Sequence, residues 1–157
     1  MISAEFTVSK ADVYNEVAKT TSYTGIKMSG DDYARIFTTD EDRLMLERFF
    51  NEAANGLTDV LKPFLVSVSD TTPLRNINLN RNYVVNLELS SSYDSHLNKS
   101  VESSMFSYFT NFIVGNWYKF SNKGEADGYL ATAASMILDI KSKIYYRKKP
   151  VRVVPTE

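Results

Sequence analysis

The chain has no cysteine, one histidine, one tryptophan, four prolines and six glycines in 157 residues. Without cysteine there is no disulfide scaffold, no thiolate metal site and no thiol nucleophile. A single histidine, His96, excludes any multi-histidine centre. The glycines (Gly25, Gly30, Gly56, Gly115, Gly124, Gly128) are scattered, so no glycine-rich phosphate loop and no Gly-x-Ser-x-Gly elbow is present. No apolar run is long enough for a signal peptide or a transmembrane helix, and the expectation is a soluble intracellular protein that does not enter membranes. Aromatic residues are plentiful. At 13% aromatic and 43% hydrophobic, the composition excludes a disordered chain, and the length suits one domain with a real core.

The net charge of −1 conceals an asymmetry. From Lys141 to Glu157 there are six basic residues and one acid, a local charge of +5. The other 140 residues carry twelve bases and eighteen acids, a charge of −6. An acidic body is therefore joined to a basic tail.

Apolar spacing organises the body. Ser9 and Asp12 stand at capping-box separation, which predicts a first helix over 9–20 with an apolar face of Ala11, Val13, Tyr14, Val17 and Ala18. Residues 20–30 are rich in turn formers, and 31–37 could add one helical turn. Thr39, Asp40, Glu41 and Asp42 are suited to a helix start, where the dipole favours negative charge. A second helix follows, with Leu46, Phe49, Phe50, Ala53, Leu57, Val60, Leu61 and Phe64 at three- and four-residue spacing, stopped or kinked by Pro63. Over 64–90 the period shortens. Residues 83–89 (YVVNLEL) read as a strand, 64–68 as a further strand or a frayed helix end, and Leu74, Ile77 and Leu79 as the other arm of a hairpin. Two helices close the body, at 96–120 and 125–147, separated by the polar break 121–124. So short a connection makes them antiparallel neighbours. The expected fold class is mainly α: a helical bundle with a C-terminal αα-hairpin, a small β-hairpin insertion around 64–90 and an extended C-terminal arm. Residues 1–147 would form a single helical domain and 148–157 the arm.

The residue pattern offers little for catalysis. His96 lies beside Ser91, Ser92, Asp94 and Ser95, but triads are assembled from groups distant in sequence, so an exposed histidine in a first helical turn is the better reading. Asp40, Glu41 and Asp42 could hold a hard cation, yet helix capping accounts for them. The aromatics of the penultimate helix (Phe106, Tyr108, Phe109, Phe112, Trp117, Tyr118, Phe120) suggest burial on two sides, one against the core and one against a partner, more than a stacking platform. No catalytic residues, cofactor or metal are expected.

Two segments suggest contacts with other molecules. Arg75, Asn78, Asn80 and Arg81 lie in an acid-free stretch of four asparagines and two arginines, fitting either a hairpin tip or a partner or channel loop. The tail is the stronger feature. A helix dipole explains cations at Lys141, Lys143 and Arg147 but not at Lys148, Lys149 and Arg152. Arg147, Lys148, Lys149, Pro150, Val151, Arg152, Val153 and Val154 together suit an extended arm that adds to a partner or enters an acidic groove; the other reading is a disordered, solubilising tail.

The run Phe109–Tyr118 (FTNFIVGNWY), the short break, the run Ala126–Ile140 and the ending Tyr145–Arg152 (YYRKKPVR) resemble the head–tail connector (adaptor) proteins of tailed bacteriophages, over about residues 96–152. The resemblance implies a virion structural protein, made in the host cytoplasm and placed at the head–tail junction. Such subunits form a homo-oligomeric ring, commonly a dodecamer, below the portal protein. They contact tail or further connector proteins and extend a channel through which DNA passes without sequence-specific binding. Carried over, residues 147–152 would be the docking arm. A small nucleic-acid-binding regulator that uses the same basic tail is the alternative.

Overall fold

The computed structural model describes residues 1–26, 42–69, 82–151 and 155. Its architecture is mainly helical, with four α-helices and one three-stranded antiparallel sheet among the described residues, and it ends in an antiparallel helix pair.

The first element is a strand, β1 (Ile2–Val8), which the sequence reading had not placed. Ala4, Phe6 and Val8 point inward and are buried, while Ser3, Glu5 and Thr7 face out, the two-residue period of a half-buried strand. Helix α1 (Lys10–Ile26) follows after Ser9, whose Oγ accepts the Asp12 N–H at 3.4 Å, as the capping spacing anticipated. The helix continues six residues beyond the expected end at 20. Val13, Val17 and Thr21, each one turn apart, form its buried stripe.

Helix α2 (Arg43–Val60) buries Leu46, Phe49, Phe50, Ala53, Ala54 and Leu57. Asp42 stands at its N-cap position without a side-chain capping bond; Asp40 and Glu41 lie outside the described residues. The helix ends at Val60, and a 3-10 turn at Lys62–Phe64 carries Pro63, the residue expected to stop or kink it. Proline lacks the N–H a further helical turn needs, so the chain leaves the helix and enters β2 (Leu65–Val68).

Strand β3 (Tyr83–Leu89) is the centre of the sheet, in the order β1-β3-β2. Ile2 pairs with Leu89 and Val8 with Tyr83 along one side; Leu65 pairs with Leu87 and Val68 with Val85 along the other, with a register shift between Leu65 and Ser67. Ser69 closes this second pairing, its N–H donating to the Val84 carbonyl at 2.9 Å while its Oγ accepts the Val84 N–H at 2.9 Å. The strand at 64–68 and the strand at 83–89 are thus antiparallel neighbours. The hairpin arm read at 74–79 lies outside the described residues. The sheet is not a self-contained insertion, because its third strand is the N-terminus.

Helices α3 (Asn98–Ser121) and α4 (Lys123–Tyr145) are joined by Asn122 alone, a tighter break than the four residues expected. Gly115 permits their close approach: a Cβ there would lie 2.7 Å from the Leu130 side chain and 3.2 Å from the Leu130 nitrogen. Helix α3 is the hub, packing on α1, α2, α4 and β1. Its Phe109 ring sits 4.7 Å from Phe50 and 5.2 Å from Tyr83, tying helix, helix and sheet into one core. Full burial of such side chains contributes about 1.5–3 kcal/mol each.

A charged pair is set inside this apolar mass. Lys10 Nζ lies 3.0 Å from Glu47 Oε2, with both side chains almost wholly buried. Tyr14 donates its hydroxyl to Glu47 Oε1, and the Lys10 ammonium stands 4.9 Å from the Phe50 ring centre. The pair fixes the β1–α1 corner against α2.

Candidate functional site

The basic residues of the tail meet the body at one pole, formed by the end of α4, the start of α3 and the turn at 90–97. That turn is built on Tyr93. Its ring is buried, its N–H donates to the Ser90 carbonyl at 2.9 Å, and its hydroxyl donates to Asn98 Oδ1 at 2.8 Å. Burial, with Asp94 adding to it, raises the Tyr93 pKa, so the hydroxyl stays a donor. The turn therefore presents the Ser92 carbonyl at a fixed place.

The chain leaving α4 uses that carbonyl. The Lys148 N–H donates to Ser92 O at 2.9 Å. Arg147 folds back on the helix end, its Nη1 donating to the Ile144 carbonyl at 3.0 Å and the Tyr146 carbonyl at 3.3 Å. Tyr145 lies edge-on to Phe64, with 5.3 Å between ring centres, and so links the helix end to the turn before β2. The helix stops at Tyr145, two residues earlier than expected, and residues 146–151 continue without helix or strand and are exposed. Arg147 and Lys148 thus belong partly to the body. Lys149, Pro150 and Val151 lead away from it.

Two neighbouring bases differ in availability. Lys143 is occupied: it bridges to Asp139 Oδ2 at 2.8 Å and donates to Ser104 Oγ at 2.7 Å and to the Ser100 carbonyl at 3.3 Å, clamping α4 to α3. The Lys143 and Ser104 hydrogen bonds hold the Asp139 carboxyl below its ordinary range. Lys141, by contrast, is exposed, as are Lys99 on α3 and Lys148 and Lys149 in the tail. One acid sits among them. Asp94 accepts the His96 N–H at 3.0 Å and pairs with His96 Nδ1 at 2.9 Å; these contacts, and Lys148 nearby, lower its pKa. The His96 side chain is 91% exposed, which leaves a surface hydrogen bond and not the buried, oriented base a triad needs.

Of the residues singled out in the tail, Arg147, Lys148, Lys149, Pro150 and Val151 are placed at this pole, while Arg152, Val153 and Val154 lie outside the described residues. So do Arg75, Asn78, Asn80 and Arg81. The aromatics of α3 divide three ways: Tyr108, Phe109 and Tyr118 are buried, Phe106, Phe112 and Trp117 pack partly against the core, and Phe120 is exposed, stacked on Phe49 at 6.4 Å. Sequence reasoning did not find Ser92, because an anchoring carbonyl carries no residue signature, nor the buried Lys10–Glu47 pair, which joins positions 37 apart.

Among the described residues no three of His, Asp and Glu gather where they could hold a metal ion, and no helix is long and apolar enough to cross a membrane. No protein-family model, curated protein or solved structure matches the chain.

Proposed function

We propose that the protein is a structural subunit of a viral head–tail connector ring, which docks to the portal and continues the DNA channel toward the tail. The observation that carries this reading is the exit of the tail. It is tied at Lys148 to the Ser92 carbonyl and then turns outward as an exposed basic segment, in a chain whose remaining residues are net acidic. A segment held at its root and exposed from Lys149 to Val151 is suited to reaching a second protein at low ordering cost. The resemblance of residues 96–152 to connector subunits supplies the kind of partner.

Mixing the full chain with the portal of its phage, followed by negative-stain microscopy, tests the reading. The expected result is a ring of subunits on the portal, lost when residues 149–157 are removed while the folded body remains. A chain that never associates with the portal overturns it.

The half-exposed Tyr145 and Tyr146 beside Lys141, Arg147, Lys148 and Lys149 favour one second reading, a regulator that binds nucleic acid by stacking and phosphate contacts. Its signature is DNA binding that weakens steeply with salt and disappears with the tail.

A further inference from the structure

The sheet has two outer strands, and they differ. Sheets keep an outer edge from taking up another strand with charges, prolines or covering groups. β1 has such protection: Glu5 is exposed on it, and its Thr7 N–H is taken by Glu102 Oε1 at 3.1 Å. β2 has none. It reads Leu65-Val66-Ser67-Val68, without charge or proline, and Val66 and Val68 are 64% and 40% exposed. Ser67 accepts a hydrogen bond from Asn86 Nδ2 at 3.1 Å, within the sheet. Among the described residues no strand pairs with the far side of β2.

An open edge takes an extended segment, whose backbone supplies the hydrogen bonds and whose side chains match the strand beside it. The chain carries such a segment. Val151, Arg152, Val153 and Val154 stand between Pro150 and Pro155. Valine favours strands, and proline donates no N–H to a ladder, so pairing is confined to four residues, the length of β2. The edge of the same chain is not where it lies: Val151, three residues beyond the anchor at Lys148, is 87% exposed. Charge favours an encounter between copies. The last seventeen residues carry +5 and the remainder −6. The charges flanking the edge, Lys62 before β2 and Glu88 beside the Leu65–Leu87 pair, are of opposite sign, so the edge itself does not repel a basic segment.

We infer that residues 151–154 of one copy add as a strand to β2 of a second copy. The contact runs head to tail, because each chain gives one segment and offers one edge. Repeated, it builds a ring or an open row of subunits and not a closed two-fold pair. It concerns the chain in the absence of other proteins and does not rest on the connector reading, since portal binding and this pairing can each fail without the other.

Light scattering coupled to size exclusion, on the full chain over a wide concentration range, tests the pairing. The expected mass rises with concentration beyond that of a dimer. Val66→Lys places a charge on the edge at a side chain that already faces solvent, and should return the chain to a monomer with the circular dichroism unchanged. Ending the chain after Lys149 removes the segment and should do the same. Mixed in equal amounts, the two variants should form a heterodimer and nothing larger, because the intact segment of the first meets the intact edge of the second and no other segment or edge is left. A full chain that is monomeric throughout overturns the inference. So does an assembly that survives either change, or a pair of variants that stay monomeric when mixed.

Discussion

At the scale of single residues, the Lys10–Glu47 pair is the most exacting feature of the core. Both charges are out of water, and each is tolerable only because the other is 3.0 Å away. Glu47→Leu should therefore cost about 3–5 kcal/mol in chemical denaturation, most of it from the stranded ammonium. The double change Lys10→Met with Glu47→Leu should recover most of that loss, because it removes the desolvation penalty together with the attraction. Two buried tyrosines predict a limit at high pH. Burial pushes Tyr83 up to about 12, against the opposing effect of its Thr58 hydrogen bond, and burial with the nearby Tyr83 pushes Tyr108 up to about 12. A folded-state pKa above the unfolded value of about 10 means stability is whole below pH 10 and falls as pH rises toward 12. Each tyrosine contributes a loss of about 2–3 kcal/mol by the end of that window. Denaturation midpoints measured across it should fall, and Tyr108→Phe should blunt the fall.

At the scale of elements, two glycines with the same propensity cost should behave oppositely. Gly115→Val drives a side chain into Leu130 at the α3–α4 crossing and should destabilise by about 1–3 kcal/mol, or more if the helices part. Gly128→Ala meets nothing in the subunit and should stabilise the monomeric fold by about 0.5–1 kcal/mol. Urea titration of both variants checks the contrast. The helices were the legible part of the molecule. Leu46, Phe49, Phe50, Ala53 and Leu57 recur at helical spacing, and the α3–α4 hairpin announces itself by two such runs around a polar break. β1 was written in the sequence too, as Ile2, Ala4, Phe6 and Val8 alternating with polar residues. It went unread because a lone N-terminal strand has no local partner to confirm it: its pairing runs from Ile2 to Leu89. The site was half legible for a related reason. The charge of the tail is compositional and visible, whereas the point where it is tied down is a backbone carbonyl at Ser92.

At the scale of the whole molecule, the anchor at Lys148 divides the tail into two parts with different duties. Ending the chain after Lys149 keeps the hydrogen bond to Ser92 and should leave the thermal transition where it was. Ending it after Tyr146 removes that bond and the Arg147 contacts with the helix end, and should lower stability by about 1–2 kcal/mol. Calorimetry of the two truncations separates the role of the tail in the fold from its role toward a partner. If both truncations lower the transition equally, the anchor contributes nothing.

The central position of β3 has a consequence for synthesis. β1 leaves the ribosome well before the strand it pairs with, which is not complete until Leu89 has emerged. Its buried residues, Phe6 among them, must wait for that partner while α1 and α2 form beside them. The α3–α4 hairpin, made of neighbours in sequence, closes quickly once released, whereas registering β1 on β3 requires closing a long loop and sets the slow step. A weakened β1, as in Phe6→Ala, should delay the appearance of native protein in translation or refolding more than an equally destabilising change within the hairpin.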